Sequence, residues 1–384
     1  MFKKEKLYAL DDVTIVPAVE SDIDHRGECN PYYYDSLKGR NYLPIFASPM
    51  TSVIGKDNYR IFEKNDIIPM LPRTETTEDR LAYAINGDWA AFSLAEFNTY
   101  FTDYNNQKEY KGKTLRVLID NANGHMKSIQ TAIKEAKLIA VHHKYTIEIM
   151  AGNVANPETY KKLSEAGADY VRCAIGNGDC CITASQTANN YPMASLIDDC
   201  YNMKIKYNLK AKIVADGGIN SYKNVNKALA LGADYVMIGT TLAKCFESAG
   251  EFKRIELSER DVIEGFNINT LNELRFVDGI DELEKKSLIS KYKPMKTIFG
   301  MSTKKAQMLI ALAQGKKKED VKLKTSEGIE KEISVDYTMH QWVENLIDYL
   351  RSSMSYNNFK DIKDYIGGPT VMLMSDAARN SINK

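Results

Sequence analysis

Ala166-Gly-Ala-Asp-Tyr-Val171 returns further along the chain as Leu231-Gly-Ala-Asp-Tyr-Val236. Each copy follows a helical pattern and runs into an apolar strand that ends in glycine. The first helix begins at Asn156-Pro157-Glu158, with a capping residue and a proline in its first turn, and stops at Gly167. The second begins near Ser221 and stops at Gly232. Between the copies lies another strand, Lys212-Ile-Val-Ala-Asp-Gly-Gly218, and further strands are expected at 43–47, 90–94, 115–120 and 146–151. Strands that alternate with helices make a parallel sheet. So many units, with polar or glycine-bearing loops after the strands, fit a closed (β/α)8 TIM barrel better than a doubly wound sheet. No Gly-x-Gly-x-x-Gly opens a helix, which also counts against the doubly wound alternative.

The first copy leads into Tyr170-Val-Arg-Cys-Ala-Ile175, an apolar run that reads as a buried strand, and then into Gly176-Asn-Gly-Asp-Cys-Cys-Ile-Thr183. Two glycines at a strand exit let the backbone turn tightly and approach a ligand. The cysteine pair and the threonine fall at the carboxyl end of the strand, where parallel α/β barrels place their chemistry. A thiol presented by such a loop is a candidate nucleophile.

The chain has 384 residues, 44% hydrophobic and 27% charged, which is globular composition. Lys+Arg and Asp+Glu are both 51, so nothing marks a nucleic-acid footprint or a membrane-surface patch. The first residues lack an apolar signal core, and no apolar run is long enough to span a bilayer. Cys29, Cys173, Cys180, Cys181, Cys200 and Cys245 form neither a disulfide framework nor paired zinc spacing, so free thiols in a cytoplasmic setting are expected. One barrel over residues 1–384 is expected. The lysine-rich stretch 296–330, poor in bulky strand formers and with one helix near 304–313, reads as a mobile flap over the barrel mouth. The tail after Thr338 returns to helical patterning.

Several segments together resemble the inosine monophosphate dehydrogenase and guanosine monophosphate reductase family. They are Leu10-Asp-Asp-Val-Thr-Ile-Val-Pro17, Ala47-Ser-Pro-Met50, Ala151-Gly-Asn-Val154, Gly176 to Thr183, Ala215-Asp-Gly-Gly218, Val236-Met-Ile-Gly-Thr240, Glu247-Ser-Ala-Gly-Glu251 and Gly300-Met-Ser302. They stand in the family's order and cover most of the chain. The resemblance implies a (β/α)8 barrel, a homotetramer, a purine nucleotide substrate and a nicotinamide cofactor that exchanges hydride at purine C2 while a cysteine is bonded to that carbon. Cys181 matches the nucleophile, and Thr183 matches a threonine that assists at the leaving group or attacking water. Cys180 falls where relatives have an aliphatic residue and is expected to pack, as is Cys173 inside the strand. Asp216 matches the ribose-binding aspartate, and Gly218, Gly239 and Thr240 match a phosphate cradle rich in backbone N–H groups. Ser48, Met50, Asn153, Gly300 and Met301 match further substrate contacts, and Asp120 and Asn121 lie on the cofactor side. Loop carbonyls of relatives bind a monovalent cation, potassium, which implies Gly176, Gly178 and Cys181 here.

Three features lean toward the reductase, which uses NADPH, rather than an NAD-dependent dehydrogenase lacking its regulatory insert. Only about forty residues separate Arg73 from the strand at Leu115, too few for that insert and a barrel unit together. Residues 296–330 contain neither arginine nor tyrosine, whereas the dehydrogenases activate water with an Arg-Tyr pair on the flap. Ile119-Asp-Asn-Ala-Asn-Gly124, Phe299-Gly-Met-Ser302 and Thr325-Ser-Glu-Gly328 look like the reductase versions, and Glu327 matches the reductase's catalytic glutamate. The implied activity is reductive deamination of GMP to IMP and ammonia.

The chain departs from the family in three places. Asp179 stands where relatives carry a small hydroxyl residue against the substrate phosphate, and a carboxylate there repels phosphate unless a cation intervenes. Ile298 and Phe299 stand where a tyrosine often neighbours the phosphate. The run Ile67-Ile-Pro-Met-Leu-Pro-Arg73 replaces a glycine-rich version. These departures keep open a variant purine substrate, and a catalytically reduced purine-nucleotide binder is the alternative of a different class.

Overall fold

The computed structural model describes residues 6–256 and 292–382. The flap expectation at 296–330 falls within them. The expectation of one barrel over 1–384 also covers 1–5, 257–291 and 383–384, which lie outside the described residues.

Eight parallel strands form the barrel: β1 Ile45–Ala47, β2 Met70–Leu71, β3 Trp89–Phe92, β4 Thr114–Asp120, β5 Thr146–Val154, β6 Tyr170–Cys173, β7 Lys212–Asp216 and β8 Tyr235–Ile238. From β2 onward each pairs with the next, and β8 pairs with β1. The ring closes at Ile68, just before β2, whose N–H donates to Ile45 O at 2.8 Å and whose carbonyl accepts from Ala47 N at 2.9 Å. Strand β2 is too short for a periodicity signal, and the sequence reading passed over it.

Alternation along each strand sorts the side chains. On β4, Leu115, Val117 and Ile119 pack outward under the helices, while Leu118 joins Phe46, Met70, Trp89, Ala91, Met150, Val214, Tyr235 and Met237 in the barrel interior. Phe46, Trp89 and Tyr170 meet edge to face, with centroids 5.1–6.0 Å apart. A hairpin of Tyr33–Asp35 and Arg40–Tyr42 plugs the amino-terminal mouth. There Tyr33 lies 5.3 Å from the Tyr235 ring, and Asp35 accepts from Arg116. The interior is therefore filled from below, and a cavity opens toward the carboxyl ends.

The sequence echo has one physical cause. Asp169 Oδ2 accepts the N–H of Ile149 at 2.7 Å and the ammonium of Lys137 at 2.7 Å. Asp234 Oδ2 does the same with Ile213 at 2.7 Å and Lys204 at 2.6 Å. Each aspartate thus pins the start of the preceding strand and the helix before it. Gly167 (φ 104°) and Gly232 (φ 108°) take the left-handed turn that frees the chain from its helix. The two helices run Pro157–Glu165, capped by Asn156, and Tyr222–Ala230, starting after Ser221, as the sequence predicts.

The flap stretch departs from expectation. It does contain the helix Lys304–Ala313, but its ends are strands. Strands β9 Glu251–Glu256, β10 Tyr292–Phe299 and β11 Glu330–Ser334 form an antiparallel sheet in that order. Lys296 disguised β10 in the sequence: read as a surface residue, it is fully buried. A second surprise is a two-stranded pairing of Val13–Val16 with Thr370–Leu373. The tail helix Met339–Tyr356 begins at its Thr338 cap, as patterned.

Candidate active site

Strand β6 ends at Cys173, and the chain turns back so that the N–H of Cys181 donates to Gly178 O at 2.9 Å. The flap adds to this loop as a neighbouring strand would. Ile182 N donates to Glu327 O at 2.9 Å, Ile329 N donates to Cys180 O at 3.0 Å, and Cys181 pairs antiparallel with Gly328. This main-chain ladder fixes where the side chain of Glu327 hangs.

The result is a short hydrogen-bonded path. The Cys181 thiol donates to Thr183 Oγ1 at 3.4 Å, and that hydroxyl donates to Glu327 Oε2 at 2.6 Å. Cys181 is part-exposed to the cavity, whereas Cys180 is buried, and burial pushes its thiol pKa up. Cys181 is therefore the more open of the two thiols, while Cys180 and the fully buried Cys173 are packed.

Opposite this path lies a charged bridge. Arg172 donates from Nη1 to Asp120 Oδ1 at 2.7 Å and from Nε to Asp216 Oδ2 at 2.8 Å. Asn153 donates to the same Asp216 oxygen at 2.8 Å, so one geometry holds the ends of β4, β5, β6 and β7 together. Burial alone would lower the Arg172 pKa; the carboxylates of Asp216 and Asp120 outweigh it, and the net shift is upward. Gly152 makes the room, because a Cβ there would sit 2.5 Å from Arg172 O and 2.6 Å from its Cβ.

A cavity of about 520 Å³ gathers these groups at the carboxyl ends of the strands. Cys181, Thr183, Glu327, Ser48, Met50, Asn153, Asp216, Gly218, Gly239, Thr240, Gly300, Met301, Asp120, Asn121, Gly176 and Gly178 all line it. Sequence reasoning missed Arg172, although its spacing from Tyr170 puts both on the inward face of β6. It also gave no role to Arg73, which lines the cavity with its guanidinium 3.9 Å from Asp120 Oδ2. From the flap side, Ser302, Gln307, Lys324 and Thr325 complete the wall.

Among the described residues, no group of three or more His, Cys, Asp or Glu side chains could hold a metal ion. Of the three carbonyls expected to hold a monovalent cation, at Gly176, Gly178 and Cys181, that of Gly178 already accepts the Cys181 N–H. A dinucleotide's pyrophosphate would find the cations of Arg73 and Lys324 on the cavity wall. No helix among the described residues is long and apolar enough to cross a membrane.

Residues 110–267 match the family described as the IMP dehydrogenase / GMP reductase domain. A GMP reductase of Exiguobacterium sp. is 29% identical over 255 residues, covering 64% of this chain and 74% of the relative. A GMP reductase of Photobacterium profundum is 30% identical over 214 residues, or 54% of this chain and 60% of the relative. An inosine-5′-monophosphate dehydrogenase of Helicobacter pylori is 38% identical over a shorter span of 136 residues, 35% of this chain and 27% of the relative.

Proposed function

We propose that this chain, whose residues 110–267 match the IMP dehydrogenase / GMP reductase domain, is the reductase: it converts GMP to IMP and ammonia at the expense of NADPH. The observation that carries this reading is the Cys181–Thr183–Glu327 path, with Glu327 supplied by a flap stretch that holds neither arginine nor tyrosine. A deamination needs an acid at the departing amine, and Glu327 is held where it can be one. A dehydrogenase needs a base for water, and residues 296–330 offer no Arg-Tyr pair for that role.

The chemistry follows from the two hydrogen bonds. The Cys181 proton passes through Thr183 to Glu327, leaving a thiolate and a neutral acid. The thiolate sulfur bonds to purine C2, and the C2–N bond to the exocyclic amine breaks as Glu327 returns a proton to the leaving ammonia. The nicotinamide cofactor supplies, when bound, the hydride that C2 takes up. The C2–S bond then breaks, and its electron pair returns to Cys181. Asp216, held by Arg172 and Asn153, keeps a free oxygen for the ribose hydroxyls. The backbone at Gly218, Gly239 and Thr240 takes the phosphate. Asp120 and Asn121 face the cofactor, with a monovalent cation at the Gly176–Cys181 turn. We read the assembly as a cytoplasmic homotetramer on the resemblance and on the free thiols.

The test follows cofactor absorbance in parallel reactions of GMP with NADPH and IMP with NAD. NADPH oxidation with equimolar ammonia, abolished in Cys181→Ser while GMP still binds, is the expected result. NAD reduction with IMP instead would make the enzyme a dehydrogenase and refute the assignment of Glu327.

A further inference from the structure

Asp179 brings a carboxylate to the glycine-rich catalytic loop, and it is answered from the flap. Asp179 follows Gly178 on the catalytic loop and lines the same cavity as Gly218, Gly239 and Gly300. The loops meet closely there: a Cβ on Gly217 would lie 2.9 Å from Gly178 N, and one on Gly300 would lie 2.8 Å from Cys180 O. Lys331 Nζ stands 3.8 Å from Asp179 Oδ2, with each side chain about one-third exposed. Lys331 is the second residue of β11, directly across the hairpin from Ile298, which is fully buried. Paired residues of an antiparallel ladder project from the same face. The buried Ile298 thus offers no polar atom to a ligand, and its cross-strand neighbour brings an ammonium to Asp179.

Other charges line the cavity too: Arg172 is shared between Asp120 and Asp216, Glu327 is engaged by Thr183, Arg73 stands 3.9 Å from Asp120, and Lys324 lies on the flap wall. Lys331 is the cation placed against Asp179, and it decides whether that carboxylate is compensated. We propose that Asp179 and Lys331 form the specificity element for the 5′ group of the substrate, with Lys331 cancelling the carboxylate so that a phosphate monoester is accepted there. This rests on the reading of the cavity as a purine nucleotide site. Beside an uncompensated carboxylate, a phosphate dianion is repelled and a neutral 5′-hydroxyl is not.

The experiment measures binding of GMP and of guanosine to the full chain by calorimetry, and turnover of both with NADPH. In Lys331→Met the affinity ratio of GMP to guanosine falls by about tenfold or more. In Asp179→Ser, which leaves the ammonium free for the phosphate, the ratio rises above that of the unaltered protein. The double variant, with both charges gone, returns to within about threefold of it. A ratio unchanged in Lys331→Met, or an unaltered protein that binds guanosine more tightly than GMP, overturns the proposal. Binding is read without turnover, so the two readings fail separately. GMP binding with this charge dependence but no NADPH oxidation would refute the reductase reading alone.

Discussion

The Thr183 hydroxyl donates to Glu327 Oε2 at 2.6 Å, joining residues 144 apart in sequence. Nothing local in the chain brings them together; the main-chain ladder between the catalytic loop and the flap does. Replacing Glu327 by Gln keeps that ladder and the shape of the side chain but removes the acid. Turnover with GMP and NADPH should fall by about 10²- to 10⁴-fold, the usual worth of a positioned acid. Cys181 should still react with an alkylating reagent, and a bound purine should still protect it. A variant with an ordinary steady-state rate would mean that ammonia takes its proton elsewhere.

Much of this site was legible because barrel chemistry sits where strands end. The Gly176–Thr183 loop follows an evident strand, and Asp120 and Asp216 close two others. What escaped notice shares a cause. Arg172 lies within a run that reads as apolar core, and only its inward parity, one turn of the pleat above Tyr170, betrays it. Lys296 hid strand β10 because composition treats lysine as a solvent residue. The ion pair of Asp179 with Lys331 depends on hairpin register, which the sequence of 296–330 does not specify on its own.

Arg172 ties Asp120 to Asp216 inside the barrel mouth, so removing it strands two carboxylates at once. Arg172→Met should cost about 3 kcal/mol of unfolding free energy near neutral pH, in the range for breaking a buried pair. It should also raise KM for the nucleotide, since Asp216 loses one of the two donors that aim it. Arg172→Lys should recover only part of both effects, because one ammonium cannot span the two carboxylates as the planar guanidinium does. Urea titrations together with KM values decide the matter. Wild-type stability and KM in Arg172→Met would show the bridge to be idle.

Lys296 carries the flap's root. Its ammonium donates to the carbonyls of Cys245 (3.1 Å), Phe246 (2.6 Å) and Ser248 (2.6 Å) and to the Ser248 hydroxyl (2.9 Å), with the Phe252 ring 4.3 Å away. Burial pushes its pKa down to about 7, against an ordinary 10.5, and the nearby Cys245 and Glu247 only partly oppose this. Between those two values the unfolded chain holds a proton that the folded chain has released. Stability from this group must therefore rise as pH rises from about 7 toward 10, and below 7 the full cost of the buried charge is present. Lys296→Met removes that dependence and leaves the carbonyls of Phe246 and Ser248 without their donor, a loss of about 1–3 kcal/mol near neutral pH. The stability advantage of the unaltered protein over the variant should consequently widen between pH 7 and pH 9. Chemical denaturation of both proteins at each pH measures it. An advantage that stays flat or narrows over that interval would mean that Lys296 keeps its proton in the fold, its ring of carbonyls outweighing the burial.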